Sequence, residues 1–352
     1  MAGGGTGGHV IPALAVAKEL RRRGHEPLFV GTPEGLEARL VPAEGFSLEF
    51  IQIGRLKRAG AVQAARTLLQ LPLRVLKAAA LLRKHRPAAV FSMGGFAAGP
   101  VVLAACLRRL PLVVMEPNAM PGITNRKLGR CISRALLSFP EAGRYFPPGK
   151  SEVTGLPVRQ EFFEIPPKPR EALLTVLITG GSQGSRTLNQ AARESWPLFR
   201  SSSAPVRFVH QTGGVAFAEL STAFAASGMD GELVPFLDDM PAAFARSDLV
   251  VCRSGAGAVA ELAAAGKPAI LVPFPYAADD HQLRNAEAFA AAGAARLILD
   301  REMTGQRLFD EIMTLAAAPG LLERMGQAAR RLARPGAARR AADILEELSA
   351  QG

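Results

Sequence analysis

The stretch GGGTGGHVIPALAVA, residues 3–17, has glycine at five of the six positions from Gly3 to Gly8 and a histidine directly after them. An Ala/Leu-rich helical run follows. A helix start exposes unpaired N–H groups and the positive end of the peptide dipole. Glycine lets such backbone come close to a phosphate. The same grammar returns once, at GGSQGSRTLNQAARES, residues 180–195. Two such turns point to two phosphate-bearing ligands, one in each half of the chain.

The rest of the pattern fits two α/β domains. Apolar β-prone runs stand at 26–31, 48–53, 88–93, 111–116, 134–139 and 151–155, with helical runs between several of them. The alternation restarts at 173–181, 205–213, 231–236, 248–253, 268–274 and 294–299. Alternating strands and helices predict two parallel, doubly wound sheets. Between them LPVRQEFFEIPPKPREA, 156–172, holds four prolines and reads as a linker. The expected division is 1–160, 161–335 and a C-terminal helix over 336–352. Only Met1 and Ala2 precede the first glycine turn. The strand that leads into such a turn is therefore expected to be short, at a cost in hydrogen bonds and apolar burial.

Charge is uneven. Residues 1–160 hold 23 Lys and Arg against 9 Glu and no Asp, and the later residues are slightly acidic. This asymmetry predicts an anionic partner for the first half: nucleic acid, an acidic membrane surface or a phosphorylated substrate. No nucleic-acid-binding motif is present. The segment 54–87 combines nine Lys and Arg, no acidic residue and many Leu, Ala and Val. It suits an anionic lipid surface, or an amphipathic helix pair turned towards a core. Residues 87–107 carry no charge, but Gly94, Gly95, Gly99 and Pro100 interrupt them. They read as a buried strand, a turn and a helix rather than a membrane span. Cys106, Cys131 and Cys252 lack any zinc or CxxC spacing and read as reduced core thiols. No charged region precedes an apolar core near Met1, so no leader is expected.

Several chemistries compete for the motifs. Gly3, Gly5 and Gly8 satisfy GxGxxG, but a full strand before it and a ribose-binding acid after it are missing, which disfavours NAD. No GxxxxGK[ST] occurs. GGSQG also satisfies GxSxG, so Ser182 with Asp238 or Asp248 and His281 would make a hydrolase triad in chain order. No DxD is present, so a sugar-nucleotide enzyme built on this chain is expected to use no metal at the diphosphate, relying on backbone dipoles and Arg. In CRSGAGAVAELAAAGKPAILVPFPYAADDHQLRNAEAF, 252–289, Arg253 ends a strand before a Gly-opened helix and suits a phosphate. Glu261 on that helix suits ribose hydroxyls, and His281 and Gln282 suit the hydroxyls of a sugar.

That stretch resembles the nucleotide-sugar site of the family B glycosyltransferases. SMGGFAAGPV (92–101), EPNAMPGITNR (116–126), TGLPVR (154–159) and TGGSQGSRTLN (179–189), in this order, narrow the resemblance. It is to the members that move N-acetylglucosamine from UDP-N-acetylglucosamine to the 4-hydroxyl of the muramyl sugar of lipid I, making lipid II for peptidoglycan. The resemblance implies a GT-B fold: two Rossmann-like domains facing a cleft, with the C-terminal helix returning to the first. It implies that Ser182, Gln183 and Gly184 cradle the donor diphosphate near Arg253 and Arg159. Leu237 would meet the uracil, Glu261 the ribose, and His281 and Gln282 the sugar. On the acceptor side it implies Gly5, Thr6, Gly7, Gly8, Gly94 and Gly95 around the lipid pyrophosphate, with Asn118 and Asn125 in the facing loop. His9 or Glu116 would be the base. No cofactor, metal or nucleic acid is implied. The setting would be the cytoplasmic face of the inner membrane, held peripherally, alongside cell-wall and division proteins. Other enzymes of this fold, a UDP-sugar epimerase or a diacylglycerol glycosyltransferase, are the nearest alternatives.

Overall fold

A computed structural model describes residues 1–5, 7–51, 70–169, 171–318 and 320–350. The chain divides into two compact units, Met1–Val158 with Arg334–Gly352, and Arg159–Ala333.

Among the described residues of the first unit six strands run parallel: β1 (Leu28–Gly31), β2 (Ser47–Phe50), β3 (Val90–Ser92), β4 (Leu112–Glu116), β5 (Arg134–Leu137) and β6 (Ser151–Val153). β1 pairs with β2, and β3 to β6 pair in chain order. Ala2 stands between the two groups, bridged to Val30 on one side and Ser92 on the other. Its N–H donates to the Phe91 carbonyl at 2.7 Å, its carbonyl accepts from Met93 at 2.9 Å, and Val30 N–H donates to the Met1 carbonyl at 2.9 Å. The expected short strand is thus a two-residue stub. Below it lies a cavity of about 660 Å³, lined by Met1, Leu28, Val30, Val90 and Phe91 among others. β3 and β4 are buried at every position, as continuous apolar runs in a parallel sheet require. Residues 87–107 form β3, a glycine turn and the helix Gly95–Leu107. Among the described residues no helix is long and apolar enough to cross a membrane.

The helix Leu71–His85 buries Val75, Ala78 and Leu82. Its other side exposes Leu73 by 57% and Leu76 by 67%, beside Lys77. The described portion of segment 54–87 is thus an amphipathic helix with one face turned towards the core, as one of the two expectations had it; residues 54–69 lie outside the described residues. The helix Ala337–Ser349 belongs to the first unit: Arg23 pairs with Asp343 and Glu346, each at 2.7 Å, and Arg340 with Glu152 at 2.7 Å.

The second unit holds β7 (Leu174–Thr179), β8 (Val206–Gln211), β9 (Asp230–Val234), β10 (Leu249–Cys252), β11 (Ala269–Leu271) and β12 (Ala295–Leu297). All are parallel, in the order β12-β11-β10-β7-β8-β9. The proline-rich linker contains a short helix, Gln160–Phe163, which composition alone hides. Phe162 anchors it: fully buried, its ring meets Phe244 edge-on at 5.2 Å. The thiols differ from expectation in one case, since Cys131 is exposed rather than in the core.

Candidate active site

The turns and loops that carry the candidate acceptor residues follow the carboxyl ends of the first unit's strands, where open parallel sheets bind ligands. The glycine turn leaves the Ala2 stub and enters the helix Gly7–Arg22, whose first turn carries no acidic residue. Thr6 lies outside the described residues. The turn is held by a residue that sequence reasoning missed. Glu37 is 1% exposed. Its Oε2 accepts from Gly5 N–H at 2.7 Å, and its Oε1 from the N–H and hydroxyl of Thr32, both at 2.8 Å. A Cβ on Gly4, Gly31 or Gly35 would sit 2.1–2.4 Å from Glu37 atoms. Those three glycines make the space in which the carboxylate sits.

His9 is in the first turn of the helix. A ring nitrogen bonds the Gly4 carbonyl, and the ring packs against Gly95, whose Cβ would lie 3.5 Å from Cε1. Burial lowers its pKa below the ordinary 6.5, opposed by the Gly4 carbonyl and the Glu37 charge. Gly94 and Gly95 form the neighbouring turn, and the Gly94 N–H donates to the Ser92 hydroxyl at 3.0 Å. A Cβ on Gly94 would meet the Asn125 amide at 3.0 Å. Asn125 in turn donates to Glu116 Oε2 at 2.8 Å.

Glu116 ends β4, 1% exposed. Its Oε1 accepts from the N–H and side chain of Asn118 at 3.0 and 3.3 Å, and its Oε2 also from Gly122 N–H at 3.1 Å. Burial raises its pKa while these bonds oppose the rise. Both oxygens are engaged in shaping the loop 116–125. Gly4, Gly5, His9, Gly94, Gly95, Asn125 and Glu116 thus form one connected chain of contacts.

In the second unit the candidate donor residues also gather at the carboxyl ends of the strands. Ser185 caps the helix Arg186–Ser202, accepting from Leu188 N–H at 3.3 Å. Ser182 and Gln183 are exposed on the turn before it. Gly184 has φ +72°, and its Cβ would fall 2.0 Å from the Thr212 carbonyl oxygen. Gln211, another residue missed in the sequence, links two parts of the site. Its amide donates to the Gly181 carbonyl at 2.7 Å and accepts from Leu237 N–H at 3.0 Å. Leu237 N–H is therefore engaged by Gln211.

Arg253 differs most from the simple picture. Its Nη1 pairs with Asp300 and donates to the carbonyls of Val272 and Pro273 at 3.1 and 3.3 Å. Asp300 also accepts from the Thr187 hydroxyl at 3.1 Å, so it ties Arg253 to the first turn of the Arg186–Ser202 helix. Glu261 is held up at about 7 by burial, with the charge of Arg159 acting against the rise. Arg159 itself lies over the Phe162 ring at 5.1 Å. His281 and Gln282 open the helix His281–Ala291. Gln282 accepts from Phe274 N–H at 2.9 Å, and its carbonyl accepts from the Ser254 hydroxyl at 2.8 Å.

The hydrolase triad with Asp248 fails on placement. Asp248 is bound at the opposite end of the sheet, to Lys168 at 2.6 Å and to the N–H of Thr175 at 2.7 Å. Ser182 lies beyond the far end of β7. Asp238 is exposed and, with Asp239 and Glu161, lines an acidic hollow beside Arg159.

Residues 1–137 match the glycosyltransferase family 28 N-terminal domain, and residues 175–348 match its C-terminal domain. The chain belongs to glycosyltransferase family 28. It is 63% identical over 349 residues to a Solibacter usitatus protein, covering 99% of this chain and 95% of that one. That relative is named UDP-N-acetylglucosamine--N-acetylmuramyl-(pentapeptide) pyrophosphoryl-undecaprenol N-acetylglucosamine transferase. A Myxococcus xanthus protein of the same name is 40% identical, covering 100% of this chain and 93% of its own. Among solved structures, Acinetobacter baumannii MurG superposes with a TM-score of 0.81 at 33% identity, covering 98% of this chain and 97% of that one. A UDP-GlcNAc 2-epimerase from Neisseria meningitidis has a TM-score of 0.67 at 13% identity and shares the fold alone. The family 28 chain is a glycosyltransferase with the expected pair of parallel α/β sheets.

Proposed function

We propose that this family 28 enzyme transfers N-acetylglucosamine from UDP-N-acetylglucosamine to the 4-hydroxyl of the muramyl sugar of lipid I, forming lipid II. The observation that carries the reading is the second glycine turn. A donor diphosphate needs one such turn. The first unit has its own, with His9 beside it, which suits an acceptor that also bears a pyrophosphate. The names of the 63% and 40% identical relatives support the same substrates. A diacylglycerol acceptor or an epimerase would leave the first turn without a ligand.

The first unit binds the acceptor. N–H groups at Gly7 and Gly8, with the Gly94–Gly95 turn as the second wall, hold its pyrophosphate, while the Gly5 N–H is taken by Glu37. His9 takes the proton of the 4-hydroxyl as that oxygen attacks C1 of the donor sugar. Burial keeps the imidazole neutral near neutral pH, the form a base needs. Glu116 holds the 116–125 loop with Asn118 and Asn125. The second unit binds the donor: Ser182, Gln183 and Gly184 at the diphosphate, with Arg253 fixing that end of the site; Leu237 at the base; Glu261 at the ribose; His281 and Gln282 at the sugar; and Arg159 beside Glu261. The C1–oxygen bond to UDP breaks as the new bond forms on the opposite face, so the configuration inverts. Backbone dipoles and arginine receive the leaving charge without a metal.

The enzyme works at the cytoplasmic face of the inner membrane, beside cell-wall and division proteins. The exposed Leu73 and Leu76 beside Lys77 enter the anionic leaflet, where each basic side chain adds about 1 kcal/mol. The test is transfer of labelled N-acetylglucosamine to a short-chain lipid I analogue with EDTA present. Labelled disaccharide product bears out acceptor and metal independence together. Donor binding without product rejects this acceptor.

A further inference from the structure

Glu37 is the buried carboxylate of the first unit that the proposed chemistry does not use. It stands on the helix Glu37–Ala43, away from the first unit's other site residues in sequence. Three N–H or O–H groups converge on it, and three glycines leave room for it. One of those donors, Gly5, and one of those glycines, Gly4, belong to the glycine turn. The Gly4 carbonyl is the group that bonds the His9 ring. The path from Glu37 to His9 therefore runs through two adjacent residues of backbone.

We propose that Glu37 is a positioning residue for the transfer reaction: it sets the course of the glycine turn and, through the Gly4 carbonyl, the place of the His9 ring. This rests on the reading of the first unit as the acceptor site. A carboxylate is suited to the task because it only accepts, and each of its two oxygens meets a backbone N–H. An amide of the same shape would turn a donor towards Gly5 or Thr32 and push the turn away. Glu37 also acts on His9 through space. Among the described residues it is the charged group whose field reaches the ring, and it favours the protonated form. The helix that begins at Gly95, which packs on the ring, carries no ionisable side chain in its first turn.

The experiment compares the native chain with E37Q, E37D, T32V and H9N in acceptor and donor kinetics, thermal melts and an imidazole NMR titration of His9. E37Q is expected to lose about ten- to a hundredfold in kcat/KM for the acceptor, the scale of a displacement of about 1 Å at a reacting group. The donor KM stays within about twofold. The His9 titration and the acid limb of the rate profile move to lower pH, because the negative charge is gone. E37D keeps the charge but cannot span Gly5 and Thr32, so it loses acceptor turnover while the acid limb stays near native. T32V keeps the carboxylate and its Gly5 bond, so it melts earlier with native acceptor kinetics. If E37Q does not fold, E37D with native acceptor kinetics overturns the proposal. If E37Q folds, a native kcat/KM and an unmoved His9 titration overturn it, as does loss of activity in E37Q and T32V in step with their melting temperatures. H9N at the native rate overturns the base reading instead. With H9N inactive, a native-like E37Q overturns only the role of Glu37.

Discussion

Gly184→Ala tests how the donor turn is built. Two effects add at this position. The left-handed φ of +72° costs an alanine about 1–2 kcal/mol. The new Cβ would also lie 2.0 Å from the Thr212 oxygen and 2.6 Å from its carbon, so the two segments must part by about 1.5 Å to reach ordinary contact. Thr212 is poorly placed to yield. Its carbonyl accepts from Asn189 at 2.8 Å, Asn189 is bonded to the buried His210 at 2.9 Å, and its N–H donates to the Val234 carbonyl at 3.0 Å. The turn must move instead. Overpacking of this kind costs about 1–3 kcal/mol, so the summed loss of stability is about 2–5 kcal/mol. A shift of about 1 Å at the diphosphate should weaken UDP-N-acetylglucosamine turnover about a hundredfold. Two controls separate the terms. Gly181 has φ +85° with nothing within 4 Å, so G181A should lose about 1–2 kcal/mol from φ alone. Gly214 opens a helix with nothing within 4 Å and no positive φ, so G214A should be neutral or stabilise by up to about 1 kcal/mol. Urea unfolding gives the stabilities and calorimetry with the donor gives the affinities. Equal losses for G184A and G181A would refute the close packing of the turn on Thr212.

Glu261, at about 7, should make donor affinity depend on pH. The ionised form accepts from hydroxyls, so affinity for UDP-N-acetylglucosamine should fall about tenfold from pH 8 to pH 6, and E261Q should flatten the curve; a flat native curve by calorimetry would reject the ribose role. N125A removes the 2.8 Å bond to the buried Glu116 and should cost about 1.5–3 kcal/mol in urea unfolding, raising acceptor KM and leaving donor KM alone. L73S/L76S should reduce binding to phosphatidylglycerol vesicles at least tenfold in a sedimentation assay, since each leucine forfeits about 1.5 kcal/mol or more of burial. Its turnover of a soluble acceptor should match the native chain; equal vesicle binding would place the lipid contact elsewhere.

The twelve strands among the described residues were legible in sequence: central ones such as β3, β4 and β10 because a strand buried throughout needs an apolar run, and the less buried β2, β6 and β9 through the strand–helix alternation around them. The two glycine turns were legible because their constraint is local. The short helix at 160–163 was not: its one anchor, Phe162, lies among prolines and charges that read as linker. Glu37, Gln211 and Asp300 were hidden for another reason. EGLEARL looks like any solvated first turn, and nothing near Glu37 in sequence reports that Gly4, Gly5 and Thr32 will close around it. Arg253 was visible as a cation at a strand end. Its partner Asp300 lies 47 residues further on, so its engagement could be read only from the fold.

The bridge at Ala2 bears on how the first unit opens. Among the described residues, strands β1 and β2 reach β3 through that isolated bridge, beside a cavity of about 660 Å³. A seam with so few ladder bonds divides a sheet into separate cooperative units. Amides of β1 and β2 should therefore exchange with deuterium sooner than those of β3 to β5, through an opening short of global unfolding. Thr32 follows β1 directly, and Glu37 comes five residues later. Each such opening would carry both away from Gly5, so the glycine turn would lose its brace whenever the seam parts.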